Sequence, residues 1–180
     1  MPKLDYPTRG SYYSAGREGR SFAVAHQTPT TGVTGQTSFA ATTPTFIIYQ
    51  AAATTRSILR GFQLSQSGTV AGGDISIALA IDTANRYSAG GTAVVAKNTS
   101  SVSAATAGFT FAYNATASAA GAGTRYIGRW TVDNVLGTVF SYESQDGDMI
   151  DTTGSILVYT WASTTGPTFD FTFRLADELY

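Results

Sequence analysis

The chain has 180 residues, a formal net charge of −1, 13% charged residues and no cysteine. That length suits one domain able to bury a core, and the near-zero charge offers no global attraction to nucleic acid or an anionic membrane. Without cysteine, disulfides, thiolate metal sites and thiol nucleophiles are excluded, and no apolar run approaches the ~18 residues of a membrane span. The charged fraction is about half of the ~25% usual in soluble domains. It fits either a surface covered by copies or a partner, or one coated with Thr and Ser. Lys and Glu together number five, whereas Phe and Tyr number ten each. Helices want long straight-chain residues on their wet faces, and Thr, Val, Ile, Tyr and Phe suit pleated sheets, so the composition predicts an all-β chain.

Residues 1–20 differ from the rest. They hold two prolines and three glycines, follow neither a helical nor a strand period, and interleave Lys3, Arg9, Arg17 and Arg20 with Tyr6, Tyr12 and Tyr13. No charged-then-apolar secretory layout is present. The segment reads as an extended N-terminal arm. A terminus without fixed structure is the plain alternative, but disordered tails are usually poor in aromatics, which favours an arm that docks on a partner through these seven side chains.

From residue 21 onward the chain reads as short strands and turns, a β-sandwich domain over 21–180. Phe22, Val24 and His26 alternate with Ser21, Ala23 and Ala25. Residues 27–45, rich in Thr, Gly and Pro, read as loop. Residues 45–50 carry Phe46, Ile47, Ile48 and Tyr49, apolar on both faces. Residues 56–67 read as a long strand with Ile58, Phe62 and Leu64 on one face, closed by turn signals at Ser67-Gly68 and Gly72-Gly73. Ile75, Ile77, Leu79 and Ile81 alternate with Ser76, Ala78, Ala80 and Asp82; period two predicts a half-buried strand.

Further strands are predicted at 92–96, 109–113, 126–132 and 135–142, and at 155–161, where Ile156 to Trp161 is apolar on both faces and suits a central position. Residues 100–107 and 115–123 lack an amphipathic stripe and are assigned to loops. Phe169, Phe171, Phe173 and Leu175 face opposite to Asp170, Thr172 and Arg174 in the last strand. Eight to ten strands at this spacing predict two packed antiparallel sheets. A jelly roll is the first choice; an immunoglobulin-like sandwich is second, without its Cys and Trp spacing.

Little catalytic chemistry is available. His26 is the single histidine, and it sits in strand alternation, so it reads as a packed strand residue. A Ser-His-Asp triad would need it, and no Gly-x-Ser-x-Gly elbow supplies a nucleophile. The acidic run 143–151 offers Asp146, Asp148 and Asp151 as a weak calcium candidate, yet its spacing is not that of an EF-hand and Asp146-Gly147 is a turn signal. No phosphate-cradling glycine motif and no cofactor site is read. The sequons at Asn98 and Asn114 are discounted for want of a secretory signal. Arg56, Arg60, Arg125 and Arg129 could line a strand's wet face, or stack on aromatics and reach carboxylates across an interface. Trp130 and Trp161 lie in strands and read as core. The residues point to a structural or binding protein, not an enzyme.

Four segments, 37–44 (Thr-Ser-Phe-Ala-Ala-Thr-Thr-Pro), 58–74 (Ile-Leu-Arg-Gly-Phe through Gly-Gly-Asp), 120–128 (Ala-Gly-Ala-Gly-Thr-Arg-Tyr-Ile-Gly) and 164–167 (Thr-Thr-Gly-Pro), resemble small bacteriophage virion proteins. More narrowly, the chain resembles the capsid decoration, or cement, proteins of tailed phages. The likeness is one of texture and layout over most of residues 21–175. It implies a homotrimeric β-sandwich on the capsid exterior, made in the host cytoplasm, that binds the major capsid protein and braces the shell by bridging its subunits. The arm would reach over a neighbouring subunit. It implies no catalytic residue, cofactor, nucleic acid or membrane. Two alternatives stand beside it: a receptor- or carbohydrate-binding module of a phage head or tail fibre, and a jelly-roll shell-forming protein.

Overall fold

The computed structural model describes residues 19–26, 28, 31–50, 55–100, 105–150 and 153–179, apart from the side chains of Asp146 and Leu179. Among these residues every regular element is a strand. In chain order they are β1 (Ser21–Ala25), β2 (Val33–Thr34), β3 (Phe46–Tyr49), β4 (Thr55–Gln66), β5 (Ile75–Asp82), β6 (Tyr87–Val94), β7 (Lys97–Asn98), β8 (Thr110–Ala117), β9 (Arg125–Val132), β10 (Val139–Ile150), β11 (Ser155–Trp161) and β12 (Thr168–Leu179). They form two six-stranded antiparallel sheets. The first runs β10-β4-β12-β1-β7, with β2 also on β12, and the second runs β6-β8-β3-β11-β5-β9.

If β2 and the β6 to β8 excursion are set aside, eight strands remain. By chain position they run 6-3-8-1 in the first sheet and 2-7-4-5 in the second. That nested order is compatible with a jelly roll. The chain is an all-β sandwich, as its composition and periodicity predict.

The core between the sheets is built by the strands with the clearest alternation. Phe169, Phe171, Phe173 and Leu175 of β12 meet Ile75, Ile77, Leu79 and Ile81 of β5, and all eight are buried. An aromatic network crosses the gap, with ring centroids 4.9 Å apart for Phe46 and Phe171 and 4.9 Å for Phe111 and Phe173, and continues within the first sheet from Phe173 to Phe62 at 5.1 Å. Burying such rings contributes through area and through ring geometry. The central position expected for 155–161 is found, with β11 paired to β3 on one side and β5 on the other.

Several expectations are corrected. In β4 the inward residue is Leu59 and not Ile58. On β12, Arg174 pairs with Gly61 and Leu175 with Leu59, so Arg60 is one residue too many for its partner. Such a bulge inverts the alternation on one side of itself. The run 143–151 is not a turn: most of it belongs to β10, where the register jumps from Glu143 to Asp148 opposite Gly61 and Leu59. Gly147, at φ +77°, supplies the left-handed residue of this wide bulge. Residues 115–117 extend β8, and 87–91 extend β6, where Ala, Gly and Ser give no alternation to read.

The strand β5 is buried on both faces rather than one. Its second face, Ala78 and Ala80, joins Ile47, Ala112, Ala115, Ala117, Leu157 and Tyr159 in a second apolar cluster on the outside of its sheet. Part of residues 27–45, expected to be loop but holding the short strand β2, folds over that cluster. Gln36 pairs with Trp161 in a parallel bridge, the Tyr159 hydroxyl donates to the Ala41 carbonyl at 3.0 Å, and the Ala117 amide donates to the Thr42 carbonyl at 2.8 Å.

Candidate binding surfaces

Where the covering loop ends, the outer face of the second sheet opens into a pocket of about 340 Å³ lined by Phe39, Ala78, Tyr126, Gly128, Arg129 and Trp161. Its base follows from register. Tyr159, Ala78 and Arg129 form one cross-strand row, and Leu157, Ala80 and Tyr126 form the next. The alanines keep the sheet low between taller aromatic walls. Phe39 stands over them, its ring 5.1 Å from Tyr159, 5.3 Å from Trp161 and 5.9 Å from Tyr126. The Arg129 guanidinium lies 5.7 Å from the centre of the Trp161 ring, within cation–π range. Phe39 and Tyr126 are about half exposed, at 43% and 50%.

Sequence reasoning allowed Arg129 to stack on an aromatic, and it does. It read both tryptophans as core, which holds for only one. Trp130 packs against the main core, with Phe140 at 5.2 Å and Tyr142 at 5.3 Å. Trp161 is on the opposite face of its strand, in the pocket. Phe39 was missed; the one available signal was a large aromatic isolated in a Thr- and Gly-rich loop.

A second surface is the edge where β9 and β10, each the last strand of its own sheet, face each other across the gap. Trp130, Phe140 and Tyr142 close the gap between the sheets there. Outside them, Ile127, Val135, Leu136, Val139 and Met149 are exposed. A third is a polar groove of about 550 Å³ on the outer face of the first sheet, bordered by Arg60, Gln63, Glu143, Thr172 and Arg174.

The other candidates are placed as follows. Lys3, Tyr6, Arg9, Tyr12, Tyr13, Arg17 and Asp151 lie outside the described residues. Arg20, at the end of the predicted arm, is tied to the sandwich: its carbonyl accepts from the Asp177 amide at 2.9 Å, and the Asn98 side-chain amide donates to the Gly19 carbonyl. Asp148 accepts from the Tyr142 hydroxyl at 2.8 Å. Burial first, then the Asp148 partner, pushes the Tyr142 phenol up to about 12, and burial raises Asp148 itself. Among the described residues no three His, Cys, Asp or Glu side chains gather as metal ligands. His26 packs its ring on Phe171 at 5.8 Å and Tyr113 at 5.9 Å. Arg56 meets Glu178 at 3.9 Å.

Two buried polar knots escaped the sequence reading. Arg86 and Asp82 form an ion pair of 2.9 Å, both side chains almost fully buried. Arg86 also donates to the Thr124 hydroxyl at 2.7 Å and, through Nε, to the Ser118 carbonyl at 2.9 Å. Burial would raise the Asp82 carboxyl, but donors from Thr124, the Ala84 amide and Arg86 together hold it below the usual range. In the second knot, Gln50 donates to the Ser57 hydroxyl at 2.6 Å, and Ser57 and the Gly108 amide donate to Asp177 at 2.8 and 2.5 Å. Here burial dominates and Asp177 is raised.

No known protein family model and no curated protein matches the chain. Fold and surfaces together define a class: an antiparallel β-sandwich whose exposed features are an apolar edge, an aromatic pocket and a polar groove. No helix among the described residues is long and apolar enough to cross a membrane.

Proposed function

We propose that the protein is a virion structural protein that decorates the outside of a phage capsid, self-associates as a homotrimer and bridges subunits of the major capsid protein. The observation that carries this reading is the β9–β10 edge. Five exposed apolar side chains, Ile127, Val135, Leu136, Val139 and Met149, sit on two sheet-terminal strands and the turn between them. Exposed apolar surface of this kind marks association sites, and a closed cyclic oligomer would cover it. The low charge of the chain supports the same reading, because interface cores are depleted in charged residues. The basic and aromatic segment 1–20, whose last two residues are held by Asn98 and Asp177, would supply the reach to a neighbouring subunit.

The test is the solution mass of the protein by light scattering, followed by co-sedimentation with undecorated capsids. A trimer that travels with capsids supports the reading, and loss of attachment on deletion of residues 2–20 supports the arm. A monomer that ignores capsids overturns both parts, and large particles formed without a partner favour a shell-forming protein.

A further inference from the structure

We infer that the pocket formed by Phe39, Tyr126, Arg129 and Trp161 is a binding site for a carboxylated pyranose, an acidic sugar of a surface glycan. Three features lead there. The first is shape. Ala78 and Gly128 leave a low base between aromatic walls, and a sugar ring presents an apolar C–H face that fits such walls while its hydroxyls stay wet. The second is the placement of polar groups. Pockets that select a ligand combine apolar walls with a few convergent polar atoms. Here Tyr126 and Arg129 both line the pocket and are exposed, and neither side chain makes a hydrogen bond within the described residues.

The third feature is charge. Arg129 is exposed and has no carboxylate in ion-pair range among the described residues; its one contact of note is the Trp161 ring. The other buried or interstrand cations with described partners, Arg86 and Arg56, are matched to Asp82 and Glu178. A guanidinium within cation–π range of an indole, with no carboxylate beside it among the described residues, is free to take a carboxylate through two parallel hydrogen bonds. It would also repel a cationic ligand, which excludes the quaternary ammonium groups that aromatic pockets otherwise accept. The Asp82, Arg86 and Thr124 knot fixes the start of β9 just before Tyr126, so the wall is anchored. Anchoring lowers the ordering cost of binding. The site does not depend on how the protein attaches to a shell.

The experiment titrates the full-length protein with trigalacturonate and, separately, with neutral galactotriose, following tryptophan fluorescence and calorimetry. The acidic trimer is expected to bind and to change the Trp161 emission, the neutral one to bind more weakly. Arg129→Gln should weaken the acidic trimer by about tenfold or more, the worth of one charge-assisted hydrogen bond, and weaken the neutral trimer by clearly less. Tyr126→Ala, on an exposed position of an end strand, should weaken both, with thermal unfolding confirming that each variant stays folded. Absence of binding by either trimer overturns the assignment. So does acidic-trimer binding that survives both substitutions, or an affinity that ignores the carboxylate.

Discussion

At the residue scale, the two buried carboxylates behave in opposite ways because their partners differ. Asp82 accepts from the Arg86 guanidinium, the Thr124 hydroxyl and the Ala84 amide; Asp177 accepts from the Ser57 hydroxyl and the Gly108 amide, and even with the charge of Arg20 added these do not offset its burial. A carboxyl lowered by folding stabilises the fold above the ordinary carboxylate range, and that contribution is lost as pH falls through the lowered value. The gap in urea midpoint between the wild type and Asp82→Asn should therefore be widest near neutral pH and close in acid. For Asp177 the sign reverses. Its contribution is full below the ordinary carboxylate range and is lost as pH rises through the raised value. The wild type should thus gain on Asp177→Asn as pH falls from neutral. Truncating Arg86 to Met leaves Asp82 buried and unpaired, and should cost about 3–5 kcal/mol in equilibrium unfolding. None of this was legible in the sequence: Thr124 and Asp177 reach their partners from far along the chain, and the nearer pairs, Asp82 with Arg86 and Gln50 with Ser57, span the break between two strands, where no periodicity marks them.

At the element scale, what could be read was what alternates. The strands β5 and β12 declare themselves because large apolar residues occupy every second position, and β11 because a continuous apolar run has to be central. Bulges are where reading fails. Ile58 and Leu59 are equally apolar, and only the extra Arg60 decides which one enters the core. Deleting Arg60 should therefore be tolerated, because it restores regular alternation with Leu59, Phe62 and Leu64 still inward. Deleting Gln63 should abolish cooperative unfolding, because it turns Leu64 outward; near-ultraviolet circular dichroism during a thermal scan separates the two. Gly61 is constrained differently. A Cβ there would meet the Tyr142 carbonyl oxygen, backbone that cannot swing aside. Gly61→Ala should cost roughly 1–3 kcal/mol, read from the same unfolding curves. The aromatic pocket was illegible for a related reason: its members come from a loop, an end strand and a central strand, and only the register of β5 with β9 and β11 brings them together.

At the scale of the whole molecule, sheet ends must be kept from pairing at random. The end strands β6, β9 and β10 each carry a register break against their neighbour, at Tyr87 and Ala89, at the Tyr126 and Gly128 step, and between Glu143 and Asp148. Backbone pairing along these edges is interrupted, so association through the β9–β10 edge would rest on side chains. A double substitution Leu136→Glu with Val139→Glu should leave the melting temperature nearly unchanged, since both are exposed, and should yield a monomer by light scattering. An oligomer that persists would move the interface to another face.

The first strand lies against the last: Ser21 pairs with Ala176 and Ala25 with Thr172. The start of β1 and the end of β12 therefore sit together at one rim of the sheet. Traction applied between Arg20 and Glu178 would open that ladder like a zipper, one rung at a time, instead of shearing all rungs at once. This is the compliant direction of the molecule. A tether drawn from the N-terminal side alone, with the reaction borne by the faces of the sandwich, would load the fold across its core instead, where it is stiff.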